Sequence, residues 1–248
     1  MSRARVLAAV LWLAAVGCGD GVPPGAPDGS SFNVLLFSRT AGYRHASIPT
    51  AIAALQDRQV VGGYVAEATE DPSAFSTENL ARFQVVVFLM TTGDVLDDGQ
   101  QAVFEQWVAA GGNFVGVHSA ADTEYMWPFY GSLVGAYFLA HPAIQPASVK
   151  IELADHPATA GLPSPWVRTD EWYDFQTNPR PNVTVLATVD ESTYAGGMMG
   201  ADHPIMWAHP TGGGGRAFYT AMGHTAESYA DPLFLGMLTG GLRWAAGR

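Results

Sequence analysis

The chain has 248 residues, 48% of them hydrophobic, which is enough to bury one large core, and no charged or low-complexity linker divides its middle. Its 12 basic residues against 23 acidic ones leave a net charge of −11, which argues against a nucleic-acid partner, whose phosphates demand a basic face, and disfavours anionic membrane surfaces. Lys150 is the only lysine and Cys18 the only cysteine, so a Schiff-base mechanism has one unpromising candidate and no intramolecular disulfide can form.

Residues 1–18 read as an export signal. Arg3 and Arg5 precede an apolar run at 6–16 that is too short to span a bilayer stably, and Ala15-Val16-Gly17-Cys18 resembles a bacterial lipobox. The expectation is an exported bacterial lipoprotein, periplasmic or at the cell surface, whose membrane contact is a lipid on Cys18. Residues 19–31, with Pro23, Pro24 and Pro27 among glycines, read as a flexible tether, and the folded domain as 32–248.

Residues 32–38 predict a buried strand, and the loop after it carries Tyr43, Arg44 and His45. Pro49 opens a helix running to Asp57, residues 64–68 predict a second strand, and 78–83 a helical stretch. Residues 85–90 form the clearest buried strand. Asp97 caps a helix that sets Val103, Phe104, Trp107 and Val108 on one face, and Gly111-Gly112 stops it. Residues 114–117 are the next strand, with His118 at its carboxyl end. The pattern Gly116-x-His118-x-Ala120 has the outline of a nucleophile elbow, in which small neighbours let the backbone turn tightly and present one side chain, here an imidazole. This alternation predicts an α/β fold with a doubly wound, mostly parallel sheet, in which ligands bind at the carboxyl edge of the strands.

Beyond it, 127–138 predict a helix, 149–153 a strand, and Asp155-His156-Pro157 a turn in which His156 is structural. Residues 170–175 pack three carboxylates among three aromatics, a setting that raises a carboxyl pKa by desolvation. If the segment is extended, Glu171 and Tyr173 share one face, and Asp170, Trp172 and Asp174 the other. Residues 183–188, 204–209 and 216–220 predict strands, the last two joined by a glycine turn that lacks the Lys-Ser/Thr of a phosphate loop. Gly223-His224 brings a second imidazole to a strand exit. Asp231-Pro232 starts a final helix with Leu235, Leu238, Leu242 and Trp244 toward the core.

Five motifs in order carry a resemblance. They are Thr40-x-x-Tyr43-Arg44-His45; the run from Gly116 through His118, Asp122 and Thr123; Gly135-Ala136-Tyr137-Phe138-x-x-His141-Pro142; Asp170-Glu171-Trp172-Tyr173-x-Phe175; and Gly215-Arg216-Ala217-Phe218-Tyr219-x-x-x-Gly223-His224. Together they resemble the ThuA-like, trehalose-utilisation family over residues 32–247. The resemblance implies the class I glutamine amidotransferase-like fold, a flavodoxin-like sheet, here ending in a β-hairpin and a terminal helix, and a link to disaccharide or oxidised-sugar metabolism. Glutaminase activity is not expected, because the mature domain holds no cysteine nucleophile.

The candidate proton-transfer groups are therefore His118, Glu171, Tyr173 and Asp122, with Tyr43, Arg44, His45, His141, Arg216 and His224 as substrate-binding groups. Several neutral imidazoles also suit a divalent metal such as zinc, with His118, His141 and His224 as ligands, although no HExxH spacing is present. The leading expectation is an exported enzyme, a hydrolase, lyase or isomerase, acting on a small disaccharide or keto-sugar. The alternative is a surface-tethered carbohydrate-binding module without catalysis.

Overall fold

A computed structural model describes Met1 and residues 31–248; the expected signal, Cys18 and residues 19–30 of the tether lie outside the described residues. The first half of the domain is built from β1 (Phe32–Phe37), β2 (Tyr64–Thr69), β3 (Val85–Leu89) and β4 (Asn113–Val117). Between them run α1 (Ile48–Asp57), α2 (Gln59–Gly62), α3 (Thr77–Leu80) and α4 (Asp98–Ala109). Pro near the start of α1 fixes its entry, and Asp97 with Gln100 forms a reciprocal capping box on α4. The expected helical stretch at 78–83 shrinks to the single turn of α3.

The second half contributes α5 (Pro128–Val134), β5 (Phe138–Ala140), β6 (Gln145–Ile151), β7 (Trp166–Asp170) and β8 (Asp174–Phe175). It closes with β9 (Thr184–Val189), β10 (Pro204–Pro210), β11 (Arg216–Thr220) and α6 (Pro232–Ala245). The helix expected over 127–138 ends early. Gly135 takes φ +94°, and a Cβ there would lie 2.5 Å from Trp207 Nε1, so the chain turns out of the helix and Phe138 joins a strand.

Nine strands form one sheet in the order β2-β1-β3-β4-β11-β10-β9-β6-β7. The five from β2 to β11 are mutually parallel, and from β11 outward every pairing is antiparallel. The parallel half is the doubly wound, flavodoxin-like arrangement, the chain leaving β1 for β2 on one side and returning to β3 on the other. β10 and β11 make the expected C-terminal hairpin.

The pleat distributes the two faces. Phe218 of β11 packs where a Cβ on Gly241 of α6 would meet it at 2.6 Å, whereas its neighbour Tyr219 lies on the other face with Phe114, Phe88 and Tyr130 of α5. Both faces of the parallel strands are thus covered, which explains why β3 is apolar and buried at every position. A small antiparallel pair, β5 with β8, supplies Phe138 beside the carboxyl edge of the main sheet.

Candidate active site at the carboxyl edge of the sheet

Three loops leave the parallel strands at one edge and are tied together before any side chain chemistry is considered. Thr40 bridges to Thr92 after β1 and β3, and Gly93 bridges to Thr123 after β4. Gly93 N–H also donates to Asp122 O at 2.8 Å, so the loop after β4 is pinned to the loop after β3.

His118 occupies the turn out of β4 and is fully buried, with φ +52°, a conformation that a non-glycine residue adopts only when its surroundings hold it there. The holding groups are identifiable. The buried Tyr219 hydroxyl donates to His118 O at 2.8 Å. Gly116 has no Cβ, and one placed there would stand 2.8 Å from the Tyr219 ring and 3.3 Å from Ala120 Cβ. The Gly-x-His-x-Ala pattern is therefore a tight elbow in fact, and its cramped glycine is what lets Tyr219 reach the turn.

His118 Nδ1 lies 2.7 Å from Ala221 O. A carbonyl can only accept, so Nδ1 carries a hydrogen and Nε2 is the ring nitrogen turned into the site. Around Nε2 stand the Tyr173 hydroxyl at 3.0 Å, His224 Nδ1 at 3.1 Å and Glu171 Oε2 at 3.4 Å. Glu171 Oε2 is also 2.9 Å from His224 Nδ1, and its Oε1 is 3.1 Å from His141 Nδ1. His45 is buried edge-on against both other imidazoles, with ring centroids 4.7 Å from His118 and 4.9 Å from His224.

The charges follow from this crowding. Burial, and then repulsion by His118 and His224, pushes His45 down to about 3, so it stays neutral. Burial alone would raise Glu171, but hydrogen bonds and attraction from His118 and His224 outweigh it and hold the carboxyl well below the ordinary range. Asp122 goes the other way. Burial raises its pKa more than the hydrogen bond from Tyr125 lowers it. One cleft therefore holds a carboxyl pulled down by imidazoles and a second pushed up by burial, the kind of separation from which acid and base roles are drawn. That cleft encloses about 420 Å³ and is lined by Tyr43, His45, Asp122, Phe138, His141, Glu171, Tyr173 and His224.

Of the residues singled out in the sequence, His118, Glu171, Tyr173, Asp122, Tyr43, His45, His141 and His224 meet here, and two do not. Arg216 begins β11 and so sits at the amino edge, across the sheet from the cleft, where its guanidinium donates to Trp244 O at 2.7 Å and lies over the Trp244 ring. Arg44 turns away to the surface and pairs bidentately with Glu70. Among the three expected metal ligands, His118 and His224 belong to a four-residue group with His45 and Glu171, whereas His141 stands outside it on Glu171 Oε1.

Asp170 was not singled out, yet it organises the cleft. Its buried carboxylate accepts from Gly223 N at 2.9 Å, His224 N at 3.1 Å and Glu171 N at 3.0 Å, and pairs with the buried Arg168 at 2.9 Å. The signal was present in the acidic-aromatic run, but β7 ends at Asp170, so the residue beside the predicted acid proves to be an anchor for backbone. Glu171 and Tyr173 do reach the same imidazole, while Trp172 points elsewhere and donates to Gln145 O. His203 was likewise missed; it bridges Tyr173 O and Glu191 Oε1, each at 2.8 Å, and fixes the backbone that carries the Tyr173 hydroxyl.

A family model described as trehalose utilisation matches residues 33–245. No curated protein matches. Among solved structures, a ThuA-like protein from Bacteroides uniformis is 26% identical with a TM-score of 0.75, covering 91% of this chain and 95% of that one. A ThuA-like protein from Parabacteroides merdae is 19% identical with a TM-score of 0.72, covering 88% and 90%. PurLQS from Thermotoga maritima, at 12% identity and a TM-score of 0.52 over 86% and 99%, shares the glutamine amidotransferase-like fold alone. With a family model that spans residues 33–245, and a ThuA-like structure whose fold covers 91% of the chain at a TM-score of 0.75, this chain belongs to the ThuA family of trehalose-utilisation proteins.

Proposed function

We propose that the protein is an enzyme acting on a disaccharide or keto-sugar by proton transfer in the cleft at the carboxyl edge of the sheet. The observation that carries this reading is the convergence of His118 Nε2, Glu171 Oε2, His224 Nδ1 and the Tyr173 hydroxyl within 3.4 Å of one another's partners at the floor of an open cleft. Three members of this cluster, Glu171, Tyr173 and His224, line the cleft with His118 buried behind them. The sugar class is supported by the family description, and the wall of Tyr43, Phe138 and Tyr173 suits the apolar face of a pyranose.

The electron-rich floor would draw a proton from a sugar hydroxyl or from carbon beside a carbonyl, as enolisation or glycosidic cleavage demands. Asp122, whose pKa burial raises, would return a proton to the leaving or developing oxyanion. The amino-terminal signal and Cys18 support export and lipid anchoring of this activity.

The test is turnover of disaccharides and their keto-derivatives by wild type, His118→Ala, Glu171→Gln and Asp122→Asn. Each variant should lose on the order of 10²–10⁴-fold in kcat/KM on the substrate that wild type turns over. Background turnover by wild type throughout, with saturable sugar binding that survives His118→Ala and Glu171→Gln, would replace the enzyme by a carbohydrate-binding module.

A further inference from the structure

We infer that His45, His118, Glu171 and His224 bind one divalent transition-metal ion at the floor of the cleft. The ion shares the cleft with the enzymatic reading above and rests on that reading only for its sugar ligand.

The argument begins with distances. One ligand atom from each of the four residues can be chosen so that all lie within 4.8 Å of one another. Three of the edges are tighter: His118 Nε2 to His224 Nδ1 is 3.1 Å, His118 Nε2 to Glu171 Oε2 is 3.4 Å, and His224 Nδ1 to Glu171 Oε2 is 2.9 Å. Ligands at 2.0–2.1 Å from a tetrahedral zinc ion stand about 3.3 Å apart, so this triangle has the size of one face of such a coordination sphere. Three imidazoles and a carboxylate are the donor set that first-row divalent ions select over calcium or magnesium, which prefer all-oxygen cages.

The tautomer points the same way. Nδ1 of His118 is spent on the Ala221 carbonyl, which leaves Nε2 as the nitrogen able to ligate, the arrangement by which an outer hydrogen bond orients a metal-binding histidine. Other parts of the ligand set are held by a comparable outer layer. Asp170 accepts from the backbone N–H of both His224 and Glu171, His141 meets the far oxygen of Glu171, and Ser119 Oγ lies 3.4 Å from His45 Nδ1. The hydrogen-bond partner of His118 Nε2 that is not itself a ligand is the Tyr173 hydroxyl at 3.0 Å, which must turn toward the cleft when the ion enters.

A divalent ion here supplies Lewis acidity toward a sugar carbonyl or hydroxyl oxygen. The natural ligand from the cleft side is then a hydroxyketone or vicinal diol, whose two neighbouring oxygens can bind together. With the four residues occupied as ligands, the proton abstraction assigned above to the floor passes to Asp122, Tyr173 and His141 on the cleft wall.

The full chain, purified without chelator, should carry about one equivalent of a transition metal by elemental analysis, and Glu171→Gln and His224→Ala should each lower occupancy at least about tenfold. Glu171→Gln keeps the side-chain shape, and near-UV circular dichroism reports whether it folds. After stripping, addition of cobalt(II) chloride should produce visible absorption bands and raise Tm in wild type and in Tyr173→Phe, and fail to do so in His224→Ala. No retained metal, together with no spectral or Tm response of stripped wild type to zinc, cobalt(II) or manganese(II), overturns the assignment, as does metal retained equally by both ligand variants. Metal bound without sugar turnover upholds the site and defeats the enzymatic reading. Turnover that persists undiminished after stripping upholds the enzymatic reading and overturns the Lewis-acid role assigned to the ion.

Discussion

Asp170 illustrates how one side chain can set the geometry of others without entering the cleft. It gathers Glu171, Gly223 and His224 through their backbone N–H groups, and its charge is balanced by Arg168, which is itself buried between the rings of Trp166 and Phe234. Asp170→Asn keeps the shape but leaves the guanidinium only Ser228 Oγ at 2.7 Å and Asp231 at 3.7 Å, and breaking a buried pair by removing one partner costs about 3–5 kcal/mol. Urea denaturation should register a loss of that order, together with reduced activity; unchanged stability would mean that Arg168 finds compensation elsewhere. His156 offers a separate pH-dependent term. It is buried against Trp244, and burial, more than the opposing pull of Asp155, lowers it to about 4, with Arg216 adding to the shift. Below pH 6.5 the unfolded chain takes up this proton and the folded one does not, so stability falls as pH drops from 6.5 toward about 4. His156→Asn retains an acceptor for Ala158 N–H and abolishes the titration, so between pH 7.5 and pH 5 it should lose about 2 kcal/mol less than wild type does. Parallel curves for the two proteins would remove His156 as the source.

At the scale of elements, the elbow after β4 depends on a glycine for space and not for its torsion. Gly116 lies within the strand, and a Cβ there would stand 2.8 Å from the Tyr219 ring. Gly116→Ala must therefore displace Tyr219, whose hydroxyl supports the turn at His118. The expected cost is about 1–3 kcal/mol, with a larger proportional loss of activity than of stability because the displaced group is the one that holds the imidazole. A variant with wild-type Tm and wild-type turnover would show that the turn tolerates a shifted Tyr219. Much of this was legible from residues 111–122, where helix stop, apolar run and small-x-His-x-small pattern are contiguous. The end of α5 was less so: Gly135 reads as a tolerable helix interior until Trp207, from β10, comes to lie against it.

For the molecule as a whole, a single continuous core runs from Phe32 in β1 through Ala245 at the end of α6. Residues 31–248 expressed alone should therefore unfold in one cooperative transition by heat and denaturant alike, with the same cleft activity as the full chain. Two separated transitions, with the antiparallel strands β6, β7 and β9 melting first, would instead mark the outer half of the sheet as an independent unit.

The sequence by itself determined the alternation of buried strands and capped helices, the family, and the strand exits at which His45, His118 and His224 stand, because these are written in short-range periodicity and turn chemistry. Tertiary structure alone determined which polar groups meet. Arg216 and His224 belong to the same motif, but β11 lies between them and delivers them to opposite edges of the sheet. Glu171 follows β7, the outermost strand of the antiparallel half, and reaches His118 only because Asp170 captures the backbone of the loop after β11. A carboxylate and an imidazole separated by 53 positions, as Glu171 and His118 are, become neighbours through that long-range pairing, which leaves no periodic trace in the chain itself.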